Sequence, residues 1–511
     1  MIRFFLLIAQ LIFLIASCTP QETKEIDVIE MSIADLEKAL KEGDCSCEQV
    51  VFIYLDRIDK LDKSSGVNSM VVINEESLAQ ARLLDLEFKE TGKLRKLHCL
   101  PLIVKDNYKT KGLQTTGGSI ALKGYLPITD AWQVRKLKEA GAIVLGKSNM
   151  AEWAFSAKVT ISSIAGETHN PYNTGHTTAG SSGGTAAAVA ANFGLTGLGS
   201  DTGNSIRGPS SHNALVGFRT TLGLISREGI IPLANRNDVG GPMTKTVADA
   251  TKMLEVLVGV DKNDPMTKYS EGNFKTNYQQ YLQKDGLVEA RIGVLRVLSD
   301  REHDDQVNNL FEQALADMKK AGATLIEIKS INDFDTLSAN QWCPMFQYDL
   351  NNFLAKEGDL VPVKNLEEVI AFGGYSDYIE GTLNYFLEHH SPYEEGRVCG
   401  DPYTDPHRIE YRETIRNVMD SLQLDALVYP SWNFPPANIG NFEGYKGDNS
   451  QVIAPHTGQP AFTVPMGYTY NNLPAGLQFI GRMFDEPMLI KLSYAYEQAT
   501  HHRKPPTGFG N

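Results

Sequence analysis

Cysteine is scarce in this chain: six in 511 residues, at positions 18, 45, 47, 99, 343 and 399. No framework spacing connects them, and setting Cys18 aside leaves an odd number, which argues against a disulfide scaffold. Cys45 and Cys47 stand too close for a familiar zinc pair, and no His or Cys pair follows them, so no metal is expected. Positive charge is also in short supply. Lys and Arg number 48 against 62 Asp and Glu, a formal net charge of −14 whose field repels phosphates and excludes nucleic acid as a partner. Internal repeats and long low-complexity linkers are missing, which disfavours a string of modules. With 42% hydrophobic and 22% charged residues, wholesale disorder is excluded and a proper core is expected.

A long apolar run is lacking too. Behind Arg3, residues 4–15 are apolar apart from Gln10, too short for a comfortable membrane span but of signal-peptide length. The run ends Ile15-Ala16-Ser17-Cys18, which resembles the lipobox of bacterial lipoproteins, in which the Cys is lipidated and becomes the new N-terminus. The expectation is therefore a lipoprotein signal peptide over 1–18, lipidation at Cys18, and a polar tether over 19–30. Such a protein sits outside the cytoplasm, anchored to a membrane surface without spanning it.

What is present from residue 31 to 511 is an alternation of short apolar runs and amphipathic stretches. Ser32 is placed to cap a helix with Ile33, Leu36 and Leu40 on one face, and Val51, Tyr54, Leu55, Ile58 and Leu61 mark a second. Strand-length runs occupy 100–104, 142–145, 292–297, 324–328, 426–429, 462–464 and 477–480; helical patterns occupy 130–140, 185–193, 303–320 and 488–499. This alternation implies one large α/β domain with a buried sheet. Residues 335–420 differ, with few strand patterns and many aromatics: Trp342, Phe346, Tyr348, Tyr375, Tyr378, Tyr385, Phe386 and Tyr393, beside His389 and His390. They read as a helical insertion that caps a site and sets substrate specificity, most of its aromatics packing its own small core.

The richest stretch is 177–210, where two loops of small residues flank an Ala-rich helix. Gly183 and Gly184 permit close backbone approach, and Thr202-Gly203-Asn204-Ser205 offers consecutive N–H groups for an oxyanion. Serines on facing loops suit acyl transfer, but a serine needs a base. No Ser–His–Asp set stands out; His169, His176 and His212 lie near the loops and have ordinary uses in turns and packing. The alternative base is a lysine made neutral by burial, and Lys105 fits, ending an apolar strand before Asp106 and Asn107. Gly180-Ser181-Ser182-Gly183-Gly184 also matches a Gly-x-Ser-x-Gly nucleophile elbow. That elbow requires a buried strand directly before it, whereas the preceding residues have loop composition, so the elbow is rejected.

At these residues the chain resembles the amidase signature family, which includes fatty acid amide hydrolase, bacterial peptide amidases and the A subunit of glutamyl-tRNA amidotransferase. The likeness runs through Pro-Leu-Ile-Val-Lys-Asp-Asn (101–107), Thr-Thr-Gly-Gly-Ser (115–119), Gly-Lys-Ser-Asn-Met-Ala-Glu-Trp (146–153) and Gly-Ser-Ser-Gly-Gly (180–184). It continues in Gly-Ser-Asp-Thr-Gly (199–203), Ser-Ile-Arg (205–207), Gly-Pro-Met (241–243), Thr-Val-Ala-Asp (246–249) and Gly-Leu-Gln-Phe-Ile-Gly (476–481). The resemblance implies a central mixed sheet covered by helices on both faces. It implies hydrolysis of a small-molecule or peptide amide through an acyl-enzyme, with no cofactor. It also implies roles: Lys105 as base, Ser181 after a cis peptide bond as relay, Ser205 as nucleophile, Thr202, Gly203 and Asn204 as oxyanion loop, and Ser182, Asp201 and Arg207 as supports. Two departures stand out. Asn204 occupies a position where the family usually has glycine, and Gly208-Pro209-Ser210-Ser211-His212-Asn213 replaces a more apolar run. Two other readings stay open: an amidase fold that binds without efficient catalysis, and an amidotransferase A-type subunit.

Overall fold

The computed structural model describes residues 26–339, 341–389, 399–442 and 445–510, so the expected signal peptide, Cys18 and most of the tether lie outside the described residues. The frame is one 11-stranded mixed sheet. Its strands are β1 (Met70–Ile73), β2 (Pro101–Lys105), β3 (Ile143–Ser148), β4 (Thr196–Asp201), β5 (Val216–Arg219), β6 (Val239–Thr244), β7 (Arg291–Leu295), β8 (Thr324–Ile328), β9 (Ala426–Pro430), β10 (Ala461–Tyr468) and β11 (Pro474–Ile480). Across the sheet they run β1-β3-β2-β4-β6-β5-β10-β11-β9-β7-β8. β3, β2 and β4 are mutually parallel, as are β9, β7 and β8, while the strands between them pair antiparallel. Parallel strands are covered on both faces, which is why the sequence runs Leu102–Val104 of β2 and Ile143–Leu145 of β3 are unbroken apolar stretches.

The helices follow their local chemistry. Ser32 accepts from the Asp35 N–H at 3.1 Å and Asp35 returns the contact to the Ser32 N–H, a reciprocal cap that starts helix Ile33–Glu42. Ser46 and Gln49 do the same for helix Cys47–Leu61. The tether proves shorter than expected at its inner end: Val28 is buried, and Glu30 is ion-paired with Arg503 at 2.7 Å. The run 292–297 ends as a strand at Leu295 and turns helical over Arg296–Ser299.

Two disulfides are present, contrary to the expectation from cysteine number and spacing. Cys47 is bonded to Cys99 and Cys343 to Cys399, with Cys45 as the one free thiol among the described residues. Spacing failed as a guide because each bridge closes a loop of more than fifty residues, 52 and 56 positions apart, between elements that meet only in three dimensions. The first ties the start of helix Cys47–Leu61 to a residue two positions before β2; the second joins Cys343, near the start of the insertion, to Cys399, which precedes its last helix.

That insertion is helical, through Phe346–Glu357, Leu366–Phe372, Glu380–Glu388 and Pro406–Ser421. Phe346, Leu350, Leu354, Leu366, Val369 and Leu383 form its own core against Trp153 and Tyr125 of the main body. Tyr348, Tyr378, Tyr385 and Trp342 remain exposed, and His390 and Tyr393 lie outside the described residues.

Candidate active site

The carboxyl ends of the neighbouring parallel strands β2 and β4 carry Lys105 and Asp201, and the serine loops gather there, as ligands do in open α/β sheets. Lys105 is fully buried. Its Nζ lies 2.8 Å from Ser181 Oγ, 2.9 Å from Ser200 Oγ and 3.3 Å from the Ser200 carbonyl. Burial brings its pKa down to about 7, against the opposing pull of the Asp201 and Asp238 carboxylates, so near neutral pH the amine is free to accept a proton.

Ser181 follows a cis peptide bond with Gly180. A Cβ on Gly180 would fall 2.3 Å from the Val159 carbonyl oxygen and 2.6 Å from that of Ser156, so only glycine fits at this close approach. Ser182 stands at the start of helix Gly183–Ala190, and its hydroxyl donates to the Ser200 carbonyl at 3.1 Å. The strand nearest before it, Asn173–Thr177, belongs to a two-stranded ribbon rather than the main sheet, which leaves the elbow without its buried strand.

Facing this loop is the segment after β4. Asp201 accepts from both guanidinium groups of Arg207 and Arg219, at 3.0 and 2.8 Å, all three side chains being fully buried. Burial alone would raise the carboxyl, but the two arginines hold it down at about 2. Arg207 also donates to the Gly203 carbonyl at 2.7 Å and to that of Ser450 at 2.8 Å. Thr202 Oγ1 donates to Asp238. The N–H groups of Gly203, Asn204 and Ser205 donate no hydrogen bond among the described residues, which leaves a row of donors beside the Ser205 hydroxyl. Ser205 is nearly buried, its carbonyl accepts from the Ser182 N–H at 3.3 Å, and its hydroxyl has no hydrogen-bond partner among the described residues. The two serine loops are thus joined through backbone, with Lys105 bonded to the first of them.

Asparagine tolerates positive φ better than most residues, but Asn204 does not adopt the left-handed conformation. Its Nδ2 donates to the Ala157 carbonyl at 3.4 Å and its Oδ1 is buried without a partner. The room is made by Gly208, where a Cβ would lie 2.6 Å from that Nδ2. The unusual run after it forms helix Arg207–His212; His212 is buried, bonded to Tyr445 and packed on Trp432, a structural role. His176 is joined by a bridge to Asn438.

Three neighbours went unread in the sequence: Ser200, Arg219 and Asp238. Ser200 shares Lys105 with Ser181, and Asn107 Nδ2 donates to Ser200 Oγ at 2.9 Å. Arg219 completes the clamp on Asp201, and Asp238 holds Thr202. Ser200 was hidden because β4 reads Thr-Gly-Leu-Gly-Ser-Asp, and glycine masks a strand. Beside the loops opens a cavity of about 360 Å³ lined by Ala157, Tyr378, Trp432, Tyr445, Asp448 and Gln451 among others. Among the described residues no group of three His, Cys, Asp or Glu side chains is arranged to hold a metal.

A buried amine beside hydroxyls, facing a row of backbone donors, is the equipment of a serine-dependent acyl-transfer hydrolase. The chain belongs to the amidase family, whose model matches residues 49–490. An Arabidopsis thaliana protein described as a probable amidase is 33% identical over 496 residues, covering 93% of this chain and 91% of that one. The A subunit of the glutamyl-tRNA(Gln) amidotransferase of Halothermothrix orenii is 30% identical over 492 residues, covering 93% and 98%. The crystal structure of the peptide amidase from Stenotrophomonas maltophilia superposes with a TM-score of 0.82 at 33% identity, covering 93% of this chain and 98% of that one. The protein is an amide-hydrolysing enzyme of this family.

Proposed function

We propose that the enzyme cleaves the carbon–nitrogen bond of a carboxylic or peptide amide through an acyl-enzyme on Ser205. Neutral Lys105 takes the proton of Ser181, and Ser181 that of Ser205, as the Ser205 oxygen attacks the carbonyl carbon. The oxyanion draws on the N–H groups of the Thr202–Gly203–Asn204 loop, which Asp201 and Arg207 brace from behind and Ser182 ties to the facing loop. The same relay returns a proton to the departing amine, and water then releases the acid. The observation that carries this reading is the fully buried Lys105 amine, its pKa held at about 7 and its Nζ bonded to Ser181. A fluorophosphonate probe tests it: labelling is expected at Ser205 and lost in Ser205→Ala. Labelling that survives in Ser205→Ala and disappears in Ser182→Ala would instead establish the elbow serine as nucleophile.

The lipobox-like Ile15-Ala16-Ser17-Cys18 supports a bacterial lipoprotein anchored outside the cytoplasm through Cys18. The two disulfides support the same reading, since such bonds persist in oxidising compartments. Both weigh against an amidotransferase component, which works beside tRNA in the cytoplasm. Palmitate incorporation into the intact chain is expected to vanish in Cys18→Ser; incorporation that persists would refute the anchor.

A further inference from the structure

The aromatic residues of the insertion divide sharply by what they touch. Phe346 and Phe386 pack on each other and on Phe155, within the insertion's interface with the main body. Trp342 does something else. The chain of the oxyanion loop lacks a side chain at Gly203, and a Cβ built there would lie 3.2 Å from Cη2 of Trp342, 3.3 Å from its Cζ2 and 3.2 Å from Oε1 of Gln451. The benzo edge of the indole therefore rests on the backbone that carries the oxyanion donors. Its ring meets His456 edge-on at a centroid distance of 4.8 Å and an interplanar angle of 89°. Yet Trp342 is 41% exposed, so the ring is a wall with one face open rather than a core side chain.

Its neighbour in sequence, Cys343, forms the disulfide to Cys399, and Cys343 also contacts Arg236. Arg236 is ion-paired with Asp405 on the far side of the insertion, and lies two residues before Asp238, which holds Thr202. The bridge is thus docked on the segment that fixes the oxyanion loop, and it holds the Trp342 backbone at that point.

We infer that Trp342 is a specificity-determining residue of the amide hydrolysis, a wall over Gly203 that limits bulk on the acyl side of the scissile bond, and that the Cys343–Cys399 disulfide is its positioning brace. The inference rests on Ser205 being the nucleophile. A bulky group on the acyl carbon must pass beside the oxyanion loop when the carbonyl oxygen reaches its donors. A ring already on Gly203 takes that space, and Gln451 Oε1 stands beside the same backbone.

The test uses two serine-directed fluorophosphonates, one bearing a short alkyl chain and one a biphenyl group. In each, Ser205 oxygen bonds to phosphorus as fluoride leaves and the serine proton passes to the relay. Trp342→Ala is expected to raise the biphenyl-to-alkyl ratio of labelling rates by about tenfold or more, the scale of a pocket-shape change. Trp342→Phe should shift it less. Cys343→Ser with Cys399→Ser should move the ratio in the same direction with Trp342 intact. A purely structural role would slow both probes together and leave the ratio constant, so a constant ratio in Trp342→Ala, with Ser205 still labelled and an unchanged thermal melt, overturns the inference alone. Failure of the short-alkyl probe to label Ser205 in the unmodified protein would overturn the catalytic reading and this inference with it.

Discussion

Residues 177–210 and residues 335–420 are both part of one enzyme, yet they are held by different forces. The first region lies buried along the edge of the main sheet formed by the carboxyl ends of β2 and β4, and most of its polar side chains are bonded to one another or to backbone. The second has a small core of its own, an exposed aromatic surface and a disulfide within it. Chemistry needs positions fixed to fractions of an ångström, which a sheet edge supplies; specificity needs a surface that changes without disturbing that edge.

The largest effect that separates the two regions should come from Lys105. Lys105→Ala is expected to lower amide hydrolysis by about 10³-fold or more, at the upper end of what a general base contributes. Tyr385→Ala on the exposed insertion should change it by less than about threefold. Steady-state rates on a panel of peptide, fatty and aryl amides read both. Comparable losses from the two would abolish the division of labour.

The pH dependence follows from the same residue. Because burial holds Lys105 at about 7 rather than 10.5, kcat/KM should rise with pH through about 7 as the amine loses its proton. The stability effect has the same sign. Between pH 7 and 10.5 the unfolded chain binds this proton and the folded chain does not, so the residue's contribution to stability grows as pH rises across that window. A flat rate profile from pH 6 to 8 would remove Lys105 as the base.

Asp201 tests whether the catalytic edge is a charge-locked unit. Asp201→Asn leaves two buried guanidinium groups short of their shared carboxylate and should cost about 3–5 kcal/mol in denaturant unfolding. With its carboxyl at about 2 in the fold against 3.8 ordinarily, the wild-type contribution is complete above pH 3.8 and lost as pH falls through 2. A loss under 1 kcal/mol would mean that Arg207 and Arg219 find other acceptors.

The disulfides sharpen the comparison further. They enclose loops of nearly equal length, 52 and 56 positions, so chain entropy assigns each about the same stabilisation, about 4 kcal/mol. The difference should be in where the loss is felt. Cys47→Ser with Cys99→Ser should lower the main unfolding transition. Cys343→Ser with Cys399→Ser should loosen the insertion first, seen as faster amide hydrogen exchange in Phe346–Glu357 with the main transition shifted less. Equal shifts in the main transition would show one cooperative unit.

The two regions also differed in how far they could be read in sequence. Lys105 was legible because the run before it is apolar on both faces, and Ser181 and Ser205 because small residues crowd around them. Ser200, Arg219 and Asp238 were not, since each acts through a partner 18 to 95 positions away, Ser200 lies on a glycine-rich strand and Asp238 just precedes one. The insertion was legible only as a composition: aromatic, helical and poor in strand patterns. Nothing in its spacing distinguished Trp342 on the oxyanion loop from Phe346 in the core, because that distinction depends on Gly203 and on the bond from Cys343 to Cys399, partners far away in the chain.

The smallest predicted effect concerns the residue that departs most visibly from the family pattern. Asn204 sits in the proposed oxyanion loop, where a side chain could either crowd the oxyanion or add a donor. The side chain takes neither place: it turns to the Ala157 carbonyl, in the space left at Gly208. Its backbone needs no positive φ, so glycine at 204 gains nothing conformationally and loses only a 3.4 Å hydrogen bond. It also removes a buried carbonyl oxygen that has no partner, which offsets part of that loss. Asn204→Gly should therefore leave amide hydrolysis within about threefold of wild type and stability within about 1 kcal/mol. Gly208→Ala is the contrasting change, since its methyl would push Asn204 out of its place and toward the oxyanion donors. A rate gain of tenfold or more in Asn204→Gly would mean that the side chain obstructs the site after all, and that the catalytic edge is less settled than its hydrogen bonds imply.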